Sequence, residues 1–209
     1  MNRRMSFATA GVALGLVLTL AGAACSPKIQ AGSRPALLLD QLNSLSTNAH
    51  VGQEFTYAVV LLQSQSDSPV TIKKVVFTHP EGIGDVIEPV DVKVALLDRP
   101  DPWPVRMWSS FPPTGKVDGR CQVQQLEPAQ GVTIPPHRRA RLVVLFKALK
   151  PGDFYLGGQD VRYTVDGEPG SITLPNHFLG KVAEQEQGDQ LQPDPIETAC
   201  KKLGNLLPG

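Results

Sequence analysis

The chain has 209 residues, with 20 lysines and arginines against 20 aspartates and glutamates and a formal net charge of zero. That balance excludes the positive field of a nucleic-acid-binding domain. The 19 glycines and 19 prolines are scattered rather than periodic, which excludes a collagen-like repeat and suits a loop-rich β protein.

At the start, Arg3 and Arg4 precede an apolar run over residues 12–20, followed by the small residues Ala21, Gly22, Ala23 and Ala24 and then Cys25. This is the layout of a secretory signal peptide, too short for a good membrane-spanning helix. The small residues before Cys25 resemble the lipobox of bacterial lipoproteins, in which the cysteine receives a diacylglyceryl group and becomes the mature N-terminus. Gly22 stands where that motif usually carries leucine. The resemblance implies a signal peptide over 1–24 and lipidation at Cys25. It also implies a protein held through its lipid on the extracytoplasmic face of the cell membrane. Simple cleavage of a soluble secreted protein and an uncleaved anchor are the alternatives. Residues 25–35 are polar and rich in turn formers, as a tether should be. Roughly 185 residues follow the leader, enough for one well-buried domain plus tails.

The domain is expected over 36–182, built from short strands with turn signals between them. Residues 54–62 place Phe55, Tyr57, Val59 and Leu61 on one face. A Ser-Asp-Ser-Pro turn leads into 70–78, with the adjacent lysines Lys73 and Lys74 among β-branched residues. Residues 91–97 align Val92, Val94 and Leu96, and 139–147 align Ala140, Leu142, Val144 and Phe146, with Arg139, Arg141 and Lys147 opposite. The last pattern predicts a half-buried strand. Residues 154–165 and 171–179 read as a hairpin joined by a loop over 166–170, longer than two residues. Gly157 and Gly158 predict a bulge or break in its first strand.

Seven or eight such strands predict an all-β fold, an antiparallel immunoglobulin-like β-sandwich with a short C-terminal helix. The run Leu149-Lys150-Pro151-Gly152-Asp153-Phe154-Tyr155 resembles the L-x-P-G-x-x-Y corner of fibronectin type III and related domains. There a tyrosine hydroxyl bonds back to the chain between two strands, and Tyr155 would fill that role. As a whole the chain resembles lipoproteins of high-GC Gram-positive bacteria that carry such a sandwich. Fold alone does not give function.

The tail, 183–209, reads as a polar linker and a short helical clasp. Asp194 and Pro195 offer an N-cap and a first-turn proline and Gly204 a stop, so 195–203 predicts two helical turns with Ile196, Cys200 and Leu203 inward. With Cys25 lipidated, Cys121 and Cys200 remain as an even pair in an oxidising compartment. A disulfide between them would close a loop of roughly 80 residues, worth at most about 4 to 5 kcal/mol on the chain-entropy model. Free thiols or a metal site are the alternatives.

Residues that bear chemistry are sparse. The chain lacks a G-x-S-x-G elbow, H-E-x-x-H, a phosphate-binding glycine loop and a calcium loop. His50, His79, His137 and His177 read as surface or loop residues, although an unrecognised hydrolase would use one of them beside a serine. The same histidines with Met107, Asp85, Glu88 and Asp91 give a copper-handling alternative, without a ligand pair at helpful spacing. The segment 98–116, DRPDPWPVRMWSSFPPTGK, concentrates Trp103, Arg106, Met107, Trp108 and Phe111 among five prolines. Prolines lower the entropy lost on binding, and Trp and Arg dominate interface energetics. Two readings stay open: a partner-binding platform, or side chains folded back to plug the sandwich. His137, Arg138, Arg139 and Arg141 form a basic cluster that would face lipid phosphates or an acidic wall polymer, or be a solvated strand face. These readings predict a non-catalytic, lipid-anchored binding or adaptor module. It would need no cofactor or nucleic acid and would have the membrane and an envelope protein or cell-wall component as partners.

Overall fold

The computed structural model describes residues 35–39, 44–97, 106–117, 120–185 and 195–204. The leader, Cys25 and all of the tether but Pro35 lie outside the described residues, as does most of the polar linker. In chain order the first strands are β1 (Leu37–Leu39), β2 (Ser44–His50), β3 (Glu54–Ser64), β4 (Val70–Glu81) and β5 (Ile87–Leu97). Five shorter ones follow: β6 (Arg106–Trp108), β7 (Thr114–Val117), β8 (Arg120–Val123), β9 (Glu127–Pro128) and β10 (Thr133–Ile134). The last are β11 (Arg139–Ala148), β12 (Gly152–Val165), β13 (Glu168–Leu174) and β14 (His177–Ala183), before helix α1 (Pro195–Gly204).

The strands form two six-stranded sheets and a separate antiparallel β7–β8 hairpin. The first has the order β1-β3-β11-β5-β9, with β6 added to the β3 edge that β1 also uses. The second has the order β10-β4-β12-β14-β2, with β13 added to β12. With β1 as A, β3 as B, β4 as C, β5 as D, β11 as E, β12 as F and β14 as G, the orders become ABED and CFG, the immunoglobulin-like arrangement. The chain's first segment is shared between the sheets: β1 pairs with β3, and β2 crosses over to pair with β14. The β2–β14 pair is parallel, and every other strand pairing among the described residues is antiparallel.

Aromatic side chains from both sheets fill the space between them. Phe178 lies at their centre, with ring centroids 4.7 Å from Tyr57, 5.1 Å from Phe154 and 5.7 Å from Phe146. Offset and edge contacts of this kind add roughly 0.5–1.5 kcal/mol per pair beyond the area they bury. Burial also holds the Tyr57 phenol well above the usual tyrosine range, and the Gln159 side chain opposes this only in part. Only the unfolded chain readily admits the phenolate. The resulting stability is therefore fully present below the unfolded value of about pH 10 and is lost as pH rises above it. Above that pH the wild-type unfolding free energy is expected to fall more steeply than that of Tyr57→Phe, by about 1.4 kcal/mol per pH unit. Equal slopes in urea titrations of the two proteins would contradict this.

Four details differ from the sequence pattern. Leu61, expected on one face with Phe55, Tyr57 and Val59, packs instead with Ala95 and Leu97 in a separate cluster, because the β3–β11 register shifts between Leu142 and Val144 and brings Val60 and Leu62 into the main core. Asp166 and Gly167, both at positive φ, make a two-residue turn between β12 and β13, as a type I′ hairpin requires, so the expected longer loop is replaced by the short Asp-Gly signal. The expected strand over 171–179 breaks at Pro175-Asn176 into β13 and β14. Gly157-Gly158 causes no bulge: β12 runs through it, and its partner changes there from β14 to β13. A Cβ at Gly158 would come within 2.4 Å of the Leu174 carbonyl oxygen, so the change of partner needs glycine.

Candidate functional site

The connection from β5 to β11 carries five short strands, and its described part covers the outer face of the first sheet. Trp108 stands opposite Thr56 in β3, is 2% exposed, and packs on Ala58 and Val143, with Phe111 and Leu126 at the margin. The Arg106 guanidinium lies 3.9 Å from the centroid of that indole, a cation–π contact. Met107 alternates to the other side, opposite Tyr57, and packs against the main core. The partner-binding platform is therefore corrected at Trp108. Trp108 is a core residue of a small second cluster, Arg106 rests on its ring, Met107 belongs to the edge of the sandwich interior, and Phe111 is half-buried. Trp103 lies outside the described residues.

The same covering layer explains β11. Ala140, Leu142, Val144 and Phe146 face the interior as the alternation predicts, but Arg141, Val143 and Leu145 are buried on the opposite face as well. The expected half-buried strand is buried on both sides. The basic cluster is corrected with it: Arg141 is fully buried, while His137 is exposed and paired with Asp67 at 3.0 Å. The four residues do not share a basic face.

Helix α1 closes this side. Cys200 is disulfide-bonded to Cys121 of β8, and the helix packs against the β7–β8 hairpin. The expected inner face of the helix is corrected in part: Cys200 is buried, but Ile196 is 45% exposed and Glu197 is 1% exposed. The side chain of Leu203 is outside what the structure describes. The Glu197 carboxylate accepts hydrogen bonds from the Ser109 amide at 3.2 Å, the Ser109 hydroxyl at 2.6 Å and the Ser110 hydroxyl at 2.8 Å. Hydrogen bonds to an ionised acceptor are about twice as strong as neutral ones, which offsets the cost of burying a carboxylate. The Ser110 hydroxyl in turn accepts from the Thr114 amide at 3.0 Å, and its carbonyl accepts from the Thr56 hydroxyl at 2.7 Å. This network joins β3, the 109–114 loop, the β7–β8 hairpin and the helix.

Beside it lies an open cleft of about 410 Å³. Its apolar lining comes from Phe55, Phe111, Pro112, Val123 and Leu145, and its polar lining from Glu54, Thr56, Ser109, Ser110 and Thr114. Val123, half exposed, stands on its rim. None of the lining residues is basic, so the cleft suits neutral or cationic groups that combine an apolar surface with hydrogen-bonding ones.

The remaining candidates are dispersed. Tyr155 sits at the start of β12, where the corner motif places it, but its hydroxyl meets the His177 side chain at 2.7 Å and the two rings stack. The main-chain bond of the corner is replaced by a cross-strand side-chain pair. His50 ends β2, His79 is in β4, Asp85 is paired with Lys150, Asp91 is paired with Lys93, and Glu88 is in β5. Among the described residues no three His, Cys, Asp or Glu side chains approach closely enough to hold a metal ion. Sequence reasoning missed Glu197, Ser109 and Ser110. The one local signal, Asp194-Pro195-Ile196-Glu197, reads as a capping box that would spend Glu197 on its own helix.

No protein-family model matches the chain, and no curated protein matches it. Among solved structures it is similar to PapD-like domain 7 of human CEP192, with 11% identity over 78% of this chain and 97% of that one and a TM-score of 0.38. It is also similar to the CooA pilin subunit from enterotoxigenic Escherichia coli, with 12% identity over 70% of this chain and 97% of that one and a TM-score of 0.30. A third is a family 123 glycoside hydrolase from Clostridium perfringens, of which the chain spans a quarter, with 15% identity over 75% of this chain and a TM-score of 0.37. Likenesses this distant carry no functional argument. The class of the domain, an all-β immunoglobulin-like sandwich with one short C-terminal helix, rests on strand order and register.

Proposed function

We propose that this protein is a lipid-anchored, extracytoplasmic binding or adaptor module of the cell envelope, without catalysis of its own. The cleft beside the Glu197 network carries the reading. It is an open, partly apolar depression on a rigid two-sheet scaffold, and the surrounding loops are braced by a disulfide and a buried carboxylate. Ligand sites of this kind combine an apolar wall with a few convergent polar groups. The Cys121–Cys200 bridge fits an oxidising compartment, in keeping with the leader that precedes Cys25. The lipid would set the protein at the membrane surface, leaving the cleft for an envelope protein or wall component.

Crosslinking in intact cells tests both halves. Wild type is expected in the membrane fraction with a captured partner. Cys25→Ala is expected to leave that fraction, and Val123→Asp to stay in it, folded, without the partner. Retention of Cys25→Ala in the membrane would refute the anchor. A partner retained by Val123→Asp would move the binding surface away from the cleft.

A further inference from the structure

On the far side of the sandwich, the outer face of the second sheet holds a second feature. Strand β4 carries a bulge where Arg162 and Tyr163, adjacent in β12, stand opposite Lys74 and Ile72. A bulge sets two residues of one strand against one of the next and so re-aims a side chain. Its effect here is visible in burial. Ile72 faces the interior and so does Val75, while the two residues between them, Lys73 and Lys74, are both exposed on the outer face. Regular alternation would have sent one of them inward.

The register then puts Lys74 directly opposite Arg162, and Arg162 opposite Ser171 of β13. Like charges facing each other across a ladder are destabilising. None of these three cations is ion-paired among the described residues. Asp160, two residues from Arg162 on the same strand, accepts a hydrogen bond from the Thr173 hydroxyl at 2.7 Å. Lys73, Arg162, Thr164 and Ser171 line a shallow depression of about 370 Å³. Its charged groups are all donors, and the hydroxyls of Thr164 and Ser171 stand among them, while the buried Tyr163, also in the lining, has its hydroxyl engaged by the Ala36 amide. A carboxylate is satisfied by a single guanidinium fork, whereas a tetrahedral dianion presents acceptor oxygens in several directions at once.

We propose that this face binds a phosphate-bearing anion in the depression between Lys73 and Arg162, with Lys74, opposite Arg162 in the register but outside the lining, adding to the positive field. The site is separate from the cleft and stands whether or not the cleft binds a partner. The phosphate group belongs either to a lipid head group at the membrane surface or to a soluble or polymeric phosphate ester.

The test is a titration of the full-length chain with inorganic phosphate at constant ionic strength, following amide resonances of Ile72, Lys73, Lys74, Arg162 and Ser171. Saturable shifts are expected, weakened at least about tenfold by combined Lys73→Gln, Lys74→Gln and Arg162→Gln and unchanged by Lys181→Gln or Val123→Asp. The altered side chains are exposed, so the triple variant is expected to fold, with a melting temperature equal to or above that of wild type as the opposed charges are removed. Flotation with phosphatidylglycerol and phosphatidylcholine vesicles separates the sources. A phosphatidylglycerol preference that the triple variant loses assigns the site to a lipid head group. Saturable phosphate binding without that preference assigns it to a phosphate ester off the membrane. Shifts that are linear in phosphate, or equal in wild type and the triple variant, overturn the proposal.

Discussion

Trp108→Ala is expected to lower the unfolding free energy by about 3–5 kcal/mol, the cost of deleting a large buried aromatic from a site that can only partly collapse. The indole is 2% exposed and is the main apolar mass between β3, β11 and the loop that covers them. Its loss also leaves Arg106 without the ring it rests on. Because whole domains are stable by only about 5–15 kcal/mol, the variant should be marginal at physiological temperature. Urea unfolding measures the effect. A loss below about 1 kcal/mol would mean that the indole does not hold the covering layer in solution, and would return Trp108 to the role of an exposed contact. Loss of partner capture by Trp108→Ala would therefore not locate a binding surface, which is why Val123 is the better probe.

Replacing Cys121 and Cys200 by serine is expected to cost about 2–4 kcal/mol, because the bridge closes a loop spanning 79 positions and limits the unfolded chain. The consequence should be local before it is global. The interior of the sandwich is built from residues between Leu37 and Val182, so it does not depend on α1. The helix is held by the bridge and by the contacts of Glu197 with Ser109 and Ser110. Hydrogen exchange is expected to show lost protection in α1 and the β7–β8 hairpin, with β3, β11 and β12 unchanged. Adding Glu197→Gln, which removes the charge behind those hydrogen bonds, should extend the loss to the 109–114 loop and reshape the cleft. Unchanged protection in α1 after both changes would contradict the clasp.

The interior was legible in the sequence because a strand with one face in a core announces itself by alternation. Ala140, Leu142, Val144 and Phe146 were placed correctly from spacing alone, as were Phe55 and Tyr57. The pairing of Cys121 with Cys200 followed from their count and from the compartment the leader predicts, and the helix from its capping residues. These are local or arithmetic signals, and they decided the fold class, the helix and the bridge. The alternation across β11 also misled: Arg141 looked like a solvent residue, and only the loop folding back over the first sheet buries it. That loop has no periodicity of its own, so its docking depends on the complementary surface supplied by β3 and β11. The inward turn of Glu197 depends likewise on Ser109 and Ser110, more than eighty positions away. The exposure of both Lys73 and Lys74 depends on a bulge that exists only once β4 meets β12. Sequence by itself determined the long strands β3, β4, β5, β11 and β12 and most of the residues they turn to the interior, because burial on one side imposes a period of two. The outer faces, and with them the cleft and the cationic row, were decided by tertiary contacts between segments whose separation leaves no local trace.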